Sequence, residues 1–191
     1  MKLILASTSS RRREILHDAG FSFIVVPSAV DETPFSGESP TDHVQRLADA
    51  KAELVAARTT GPAIVLAADT VVTLEGRIFG KPRSTDDARH MLEKLSGRTH
   101  SVLTGVTLIR LPDAARRSFV EITLVHFSLL SPEEITRYLA TEEPHDKAGA
   151  YAIQGRAGRY IPRIEGCYFN VVGLPLAHVA LALADLGWSE D

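Results

Sequence analysis

The chain of 191 residues and 20.8 kDa is 45% hydrophobic and 24% charged, with a formal net charge of −3. That balance suits an ordinary globular core and argues against a broad nucleic-acid-binding face. The single cysteine, Cys167, excludes an intrachain disulfide and any multi-cysteine zinc site.

The N-terminal run MKLILAST carries one preceding cation and then an arginine cluster, so it reads as a first strand and not a signal peptide. No apolar stretch approaches the roughly 20 residues that a membrane span needs, and a cytoplasmic location is the default. After the strand Leu3 to Ala6 comes a small-residue turn, Ser7-Thr8-Ser9-Ser10, and a helix to about Ala19 closed by Gly20. Arg11-Arg12-Arg13 in its first turn oppose the helix macrodipole. Hydroxyls, free N–H groups and arginines at one helix start form a receptor for an anion, phosphate above all. The plainer reading leaves the arginines in solvent.

Phe21 to Pro27 reads as a second strand, followed by a loop that holds the adjacent acids Asp31-Glu32. Ser39-Pro40 starts a helix to about Arg58. Lys51 borders its apolar stripe, a place where lysines ordinarily snorkel. Ala63 to Ala68 is an unbroken aliphatic run, the pattern of a strand buried on both faces. It ends on Asp69-Thr70, where open α/β sheets place their ligand crevice. Val71 to Leu74, the Glu75-Gly76 turn and Arg77 to Phe79 read as a hairpin that carries Lys81 back to the same mouth. An acid and a base at strand ends can equally be a loop cap and a solvated lysine.

Ser84 or Thr85 caps a helix to Leu95. His100 to Arg110 and Arg117 to Leu130 read as antiparallel neighbours joined by LPDAAR. Ser131-Pro132-Glu133-Glu134 opens another helix with a capping box. The segment DKAGAYAIQGRAG (Asp146 to Gly158) permits close backbone approach to a ligand and contains Gln154. Ile161 to Ile164 and Tyr168 to Val172 suggest a further hairpin about Glu165-Gly166. Gly173-Leu174-Pro175 opens the last helix, to about Leu186. The histidines form no ligand pair.

Seven blocks in order, LILASTSSRRREIL, LAxxKA from Leu47 to Ala52, AADTVV, GKP, LSGRTHSVLTGV, DKAGAYAIQG and NVVGLPL, resemble the Maf family of nucleoside triphosphate pyrophosphatases across almost the whole chain. The resemblance implies one family domain over residues 1–191. Its fold would be mixed α/β of the inosine triphosphatase kind: a twisted central sheet flanked by helices, with two lobes around a cleft. It also implies cleavage between the α- and β-phosphates with a divalent cation, Mg²⁺ or Mn²⁺, releasing pyrophosphate and a nucleoside monophosphate. The family's catalytic carboxylate, its proton acceptor, falls on Asp69. Positions of substrate choice fall on Arg11, Thr70 and Gln154, and supporting polar positions on Ser7, Arg12, Glu32, Lys51 and Lys81. Ser10 replaces a usual proline, Ala152 a common glycine, and Cys167 a small polar or acidic residue.

Within the family, the dTTP/UTP branch carries Asp-Thr and GAYxIQG. The 7-methyl-GTP branch tends to glutamine after the aspartate and glutamate at the Gln154 position. Thr70 and Gln154 therefore point to pyrimidines, and a glutamine amide offers the donor and acceptor that match a uracil or thymine edge. In the expected mechanism Asp69, with Glu32, holds the metal or the attacking water, while Arg11, Arg12, Lys51, Lys81 and Ser7 bind phosphate. Metal ligand or base remains open for Asp69. The partners are small-molecule triphosphates, without nucleic acid or membrane, and enzymes of this size are often C₂ homodimers. Two alternatives stand: house-cleaning of modified or 7-methylated nucleotides, and a nucleotide-binding regulator of septum formation with incidental catalysis.

Overall fold

The computed structural model describes residues 1–141 and 143–189. The strands, in chain order, are β1 (Lys2–Leu5), β2 (Phe23–Val25), β3 (Ala63–Leu74), β4 (Arg77–Phe79), β5 (Thr99–Leu111), β6 (Arg116–His126) and β7 (Arg163–Glu165). They form a mixed sheet in the order β2-β1-β3-β5-β6-β7, with β4 paired to β3. The helices are α1 (Ser10–Asp18), α2 (Pro40–Ala56), α3 (Thr85–Leu95), α4 (Pro132–Leu139), α5 (Tyr168–Val172) and α6 (Leu176–Asp185). Among the described residues no helix is long and apolar enough to cross a membrane.

The chain divides into two compact units. The first comprises Met1–Asp69, Thr104–Glu121 and Gly173–Asp191. Here β1 runs parallel to both β2 and β3, with Leu3 opposite Phe23 and Ile64. Every residue of β3 from Ala63 to Asp69 is buried, as a parallel strand covered on both faces requires. The oxygen of Ser39 accepts from Asp42 N–H and starts α2 with Pro40 in its first turn. The buried stripe of α2, Val44, Leu47, Ala48, Lys51, Ala52 and Val55, follows the helical repeat. Its backbone lies so close to β5 that a Cβ on Gly105 would sit 2.4 Å from the Val44 carbonyl oxygen. Only glycine fits there.

The second unit comprises Thr70–Leu103 and Ile122–Val172. The hairpin predicted across Glu75-Gly76 is present: Val72 pairs with Phe79, and both turn residues have positive φ (53° and 76°). The capping box of α4 is also present, with Ser131 and Glu134 bonding each other's backbone N–H. The second arm of the later hairpin is not a strand. Arg163–Glu165 pairs with β6, whereas Tyr168–Val172 is a short helix. The hydroxyl of Thr123 accepts from Cys167 N–H and from Asn170 Nδ2, and Asn170 also donates to the Val102 carbonyl. These bonds turn the chain into a helix despite its strand-forming residues.

His100 sits in this unit's core, edge-on to Phe127 and Tyr151 and hydrogen-bonded to the Tyr151 hydroxyl at 2.7 Å. Burial, with repulsion from His126, lowers its pKa from 6.5 to about 4. The folded imidazole therefore stays neutral where the unfolded chain already takes up a proton. Stability is full above pH 6.5 and falls as the pH drops toward 4, by roughly 3 kcal/mol from this group. Thermal melts between pH 7.5 and 4 should show a shallower acid limb in His100→Gln. An unchanged slope would assign that limb to other groups.

Candidate active site

The strand–turn–helix at the N-terminus builds one wall of the site. β1 ends at Leu5, and the Ser7 oxygen accepts from Ser9 N–H at 3.2 Å, while Ser9 caps α1. The following arginines have different fates. Arg12 is buried (9% exposed), Arg11 is half-buried and Arg13 points outward. The Arg12 guanidinium donates from Nε to the Gly173 carbonyl at 2.8 Å and from Nη1 to the Ser7 hydroxyl at 3.3 Å. Thus the NVVGLPL segment orients an N-terminal arginine. Burial lowers the Arg12 pKa; Asp69 opposes that shift, Arg11 adds to it, and Glu32 raises it again.

Asp69 ends the buried stretch of β3 and is only 8% exposed. Lys51 reaches it from α2, with Nζ donating to Asp69 Oδ1 at 2.7 Å and to Glu32 Oε1 at 2.5 Å. The expectation that Lys51 would snorkel from the edge of its stripe fails. Its side chain is 8% exposed, because the stripe carries it inward to two carboxylates that satisfy the ammonium. The carboxylates differ in setting: the Asp69 side chain is 11% exposed and that of Glu32 61%. One buried acid and one wet acid share a cation. Such an array can bind an anion through its cations and direct a water through its carboxylates.

The structure thus brings together Ser7, Arg12, Glu32, Lys51 and Asp69 in the first unit, with Arg11 beside Arg12. Thr70, Lys81 and Gln154 belong to the second unit. Thr70 precedes Val72 and Lys81 follows Phe79, so both lie at the open end of the hairpin. There Gly149 N–H donates to the Gly80 carbonyl at 3.1 Å, tying the GKP turn to the DKAGA segment. Gln154 is exposed, and the short 3₁₀ helix after it, Arg156–Tyr160, hangs on Glu143, which accepts from Arg156 N–H, Ala157 N–H and the Tyr138 hydroxyl. A Cβ on Gly155 would meet that carboxylate at 2.2 Å, so any other residue there would displace the Glu143 side chain from these bonds.

Sequence reasoning missed Glu143 and a second anchor, Glu38. In the fold Glu38 accepts from Arg46 Nε at 2.5 Å and from Phe35 N–H at 3.0 Å, with the His43 ring nitrogen at 2.9 Å. The Arg46 bonds above all hold its carboxyl well below the usual carboxylate range; burial opposes this, and the bonds from His43 and Phe35 assist. An isolated acid carries no periodic signal that could have marked either residue.

The family model for Maf-like proteins matches residues 2–186. The chain belongs to the Maf family. This Maf-like chain is 49% identical over 186 residues to the dTTP/UTP pyrophosphatase of Syntrophus aciditrophicus (strain SB), covering 97% of the chain and 90% of the relative. It is 47% identical over 188 residues to that of Carboxydothermus hydrogenoformans, covering 98% and 100%. Among solved structures it resembles the Staphylococcus aureus Ham1 protein, with a TM-score of 0.52 at 13% identity over 97% of this chain and all of that one. A HAM1 protein from Coxiella burnetii gives 0.50 at 18% identity over 97% and 99%. At such identities these two likenesses show the fold alone, and it is the one expected for the Maf-like sequence.

Proposed function

We propose that this protein is a nucleoside triphosphate pyrophosphatase that hydrolyses dTTP and UTP to the nucleoside monophosphate and pyrophosphate. What supports it most is near-full-length identity of about half to relatives that carry that name. The cluster around Lys51 suits the chemistry. Arg11, Arg12 and Lys51 offer cations to the triphosphate, and Lys81 adds another from the GKP turn. Asp69, one of the least exposed acids, is suited to orient the attacking water at the α-phosphorus and accept its proton. Ser7 holds Arg12 in place and offers its hydroxyl to a phosphate oxygen.

A divalent cation belongs in this reading. No group of three or more His, Cys, Asp or Glu suited to an ion occurs among the described residues. Two carboxylates on one ammonium nevertheless fit Mg²⁺ or Mn²⁺, which is bound through one or two carboxylates and otherwise by water and substrate phosphates. Asp69 and Glu32 would hold it, and when bound it supplies charge neutralisation and an acidified water. The cation and the triphosphate would therefore bind together.

Thr70 and Gln154 are assigned to base choice. The amide of Gln154 can both donate and accept, as the imide edge of a pyrimidine requires, whereas a glutamate could only accept. Pyrophosphate release from a panel of nucleoside triphosphates, with and without Mg²⁺ or Mn²⁺, tests the reading. Metal-dependent turnover of UTP and dTTP is expected. Gln154→Glu should lower kcat/KM for UTP by roughly tenfold or more, as loss of a matched hydrogen bond does, at unchanged melting temperature. An unchanged base profile would remove Gln154 from the assignment, and activity mainly on 7-methyl-GTP would overturn the pyrimidine preference.

A further inference from the structure

Glu32 sits on a loop whose residues are nearly all exposed from Asp31 to Gly37, yet its carboxylate meets a buried lysine. Something must fix that loop. Thr33, the next residue, is held at both ends: its N–H donates to Asp31 Oδ1 at 2.9 Å, and its carbonyl accepts from Arg46 Nη2 at 3.2 Å. Arg46 also forks onto Glu38, Nε to Oε1 at 2.5 Å and Nη2 to Oε2 at 2.9 Å. Its guanidinium lies 3.9 Å over the exposed Phe35 ring. Glu38 and Phe35 bond back to each other through both backbone N–H groups, at 3.0 Å to the Glu38 carboxylate and 3.1 Å to the Phe35 carbonyl. One planar side chain thus grips residues 33, 35 and 38 at once. It stands on α2, five residues before Lys51.

We propose that Arg46 is a positioning residue that, by clamping residues 33–38 onto α2, keeps Glu32 on Lys51 beside Asp69. The inference rests on the proposed pyrophosphatase reading, which gives Glu32 its role. Helix α2 then carries two linked tools: the buried ammonium, and the fork that sets the loop acid against it. Arginine suits the task where lysine does not. The fork matches both oxygens of Glu38, the flat face stacks on Phe35, and a further N–H remains for the Thr33 carbonyl. Glu38 and His43 complete the grip, with the His43 ring nitrogen donating to Glu38 Oε2.

The test combines Arg46→Met, Arg46→Lys and Glu32→Gln with the Arg46→Met/Glu32→Gln double variant. Each is assayed for kcat and KM on UTP and for amide hydrogen exchange. Arg46→Met should lower kcat/KM by about 10–100-fold, the usual cost of losing a residue that orients a metal-site group. Placed on Glu32→Gln it should cost less than about twofold, because its effect passes through Glu32. Exchange should quicken across residues 33–38 and stay unchanged in β1 and β3. Arg46→Lys should restore only part of both losses. Equal losses in the wild-type and Glu32→Gln backgrounds would overturn the proposal, since a merely structural arginine would act on both. So would unchanged exchange at residues 33–38. If the wild-type chain turns over neither UTP nor dTTP, the pyrophosphatase reading fails, and exchange alone then judges the clamp.

Discussion

Asp69→Asn is expected to lower pyrophosphate release from UTP and dTTP by about 10²–10⁴-fold, the range lost with a positioned general base. The reason is local. Asp69 closes a fully buried strand segment and keeps its carboxylate 2.7 Å from the Lys51 ammonium, so its orientation is fixed before substrate arrives. Asparagine keeps the shape and one oxygen for the ammonium to donate to, so the fold should persist. It loses the charge and the capacity to take a proton from water. Rates should therefore fall while far-UV circular dichroism changes little, and the melting temperature should drop less than in Lys51→Met because Glu32 still neutralises the ammonium. Near-wild-type turnover in a folded Asp69→Asn protein would remove Asp69 from the chemistry. Nucleotide binding that survives at ordinary affinity would mark the loss as one of turnover and not of substrate capture.

The placement of Asp69 was legible because two signals coincided. AIVLAA reads as a doubly buried strand, and a carboxylate that follows it must find a partner or face a ligand. The strand does not end there as expected but runs on through Asp69 to Leu74. The β3–β4 hairpin was legible for a backbone reason, since Glu75-Gly76 supplies the two positive-φ residues that the reversal needs. Tyr168–Val172 misled because aromatic and β-branched residues favour strands. A buried Asn170 bonded to Val102 and Thr123, residues 68 and 47 positions away, overrode that preference. The same distance in sequence hid half of the site. Helical spacing put Lys51 at the edge of its stripe but could not supply Glu32, 19 residues before it, or Asp69, 18 residues after it. Those partners turn a snorkelling lysine into a buried one. Arg46 and Glu143 grip backbone 13 residues away and Glu38 the nearby Phe35 N–H, and a charged residue reads the same in sequence whether or not it does so.

Lys51→Met is expected to cost more stability than any other single change in the cluster. Methionine keeps an unbranched, apolar side chain of similar length, so packing in the α2 stripe is largely retained and the charge is what goes. Removing one partner of a buried ion pair typically costs about 3–5 kcal/mol, because the remaining charge stays buried without compensation. Here the remaining group is Asp69, with Glu32 close by and of the same sign. Urea unfolding at pH 8 should report a loss of that size at an unchanged m-value, and, on the proposed role of Lys51 in phosphate binding, UTP turnover should fall by about 10²-fold or more. If the proposed ion binds Asp69 and Glu32, added Mg²⁺ should raise the melting temperature of the variant more than that of the wild type, since it would replace the charge the ammonium supplied. Equal shifts in the two proteins would place the ion away from Asp69 and Glu32. A variant as stable as the wild type at pH 8 would mean that the Lys51–Asp69 bond contributes no net stability in solution.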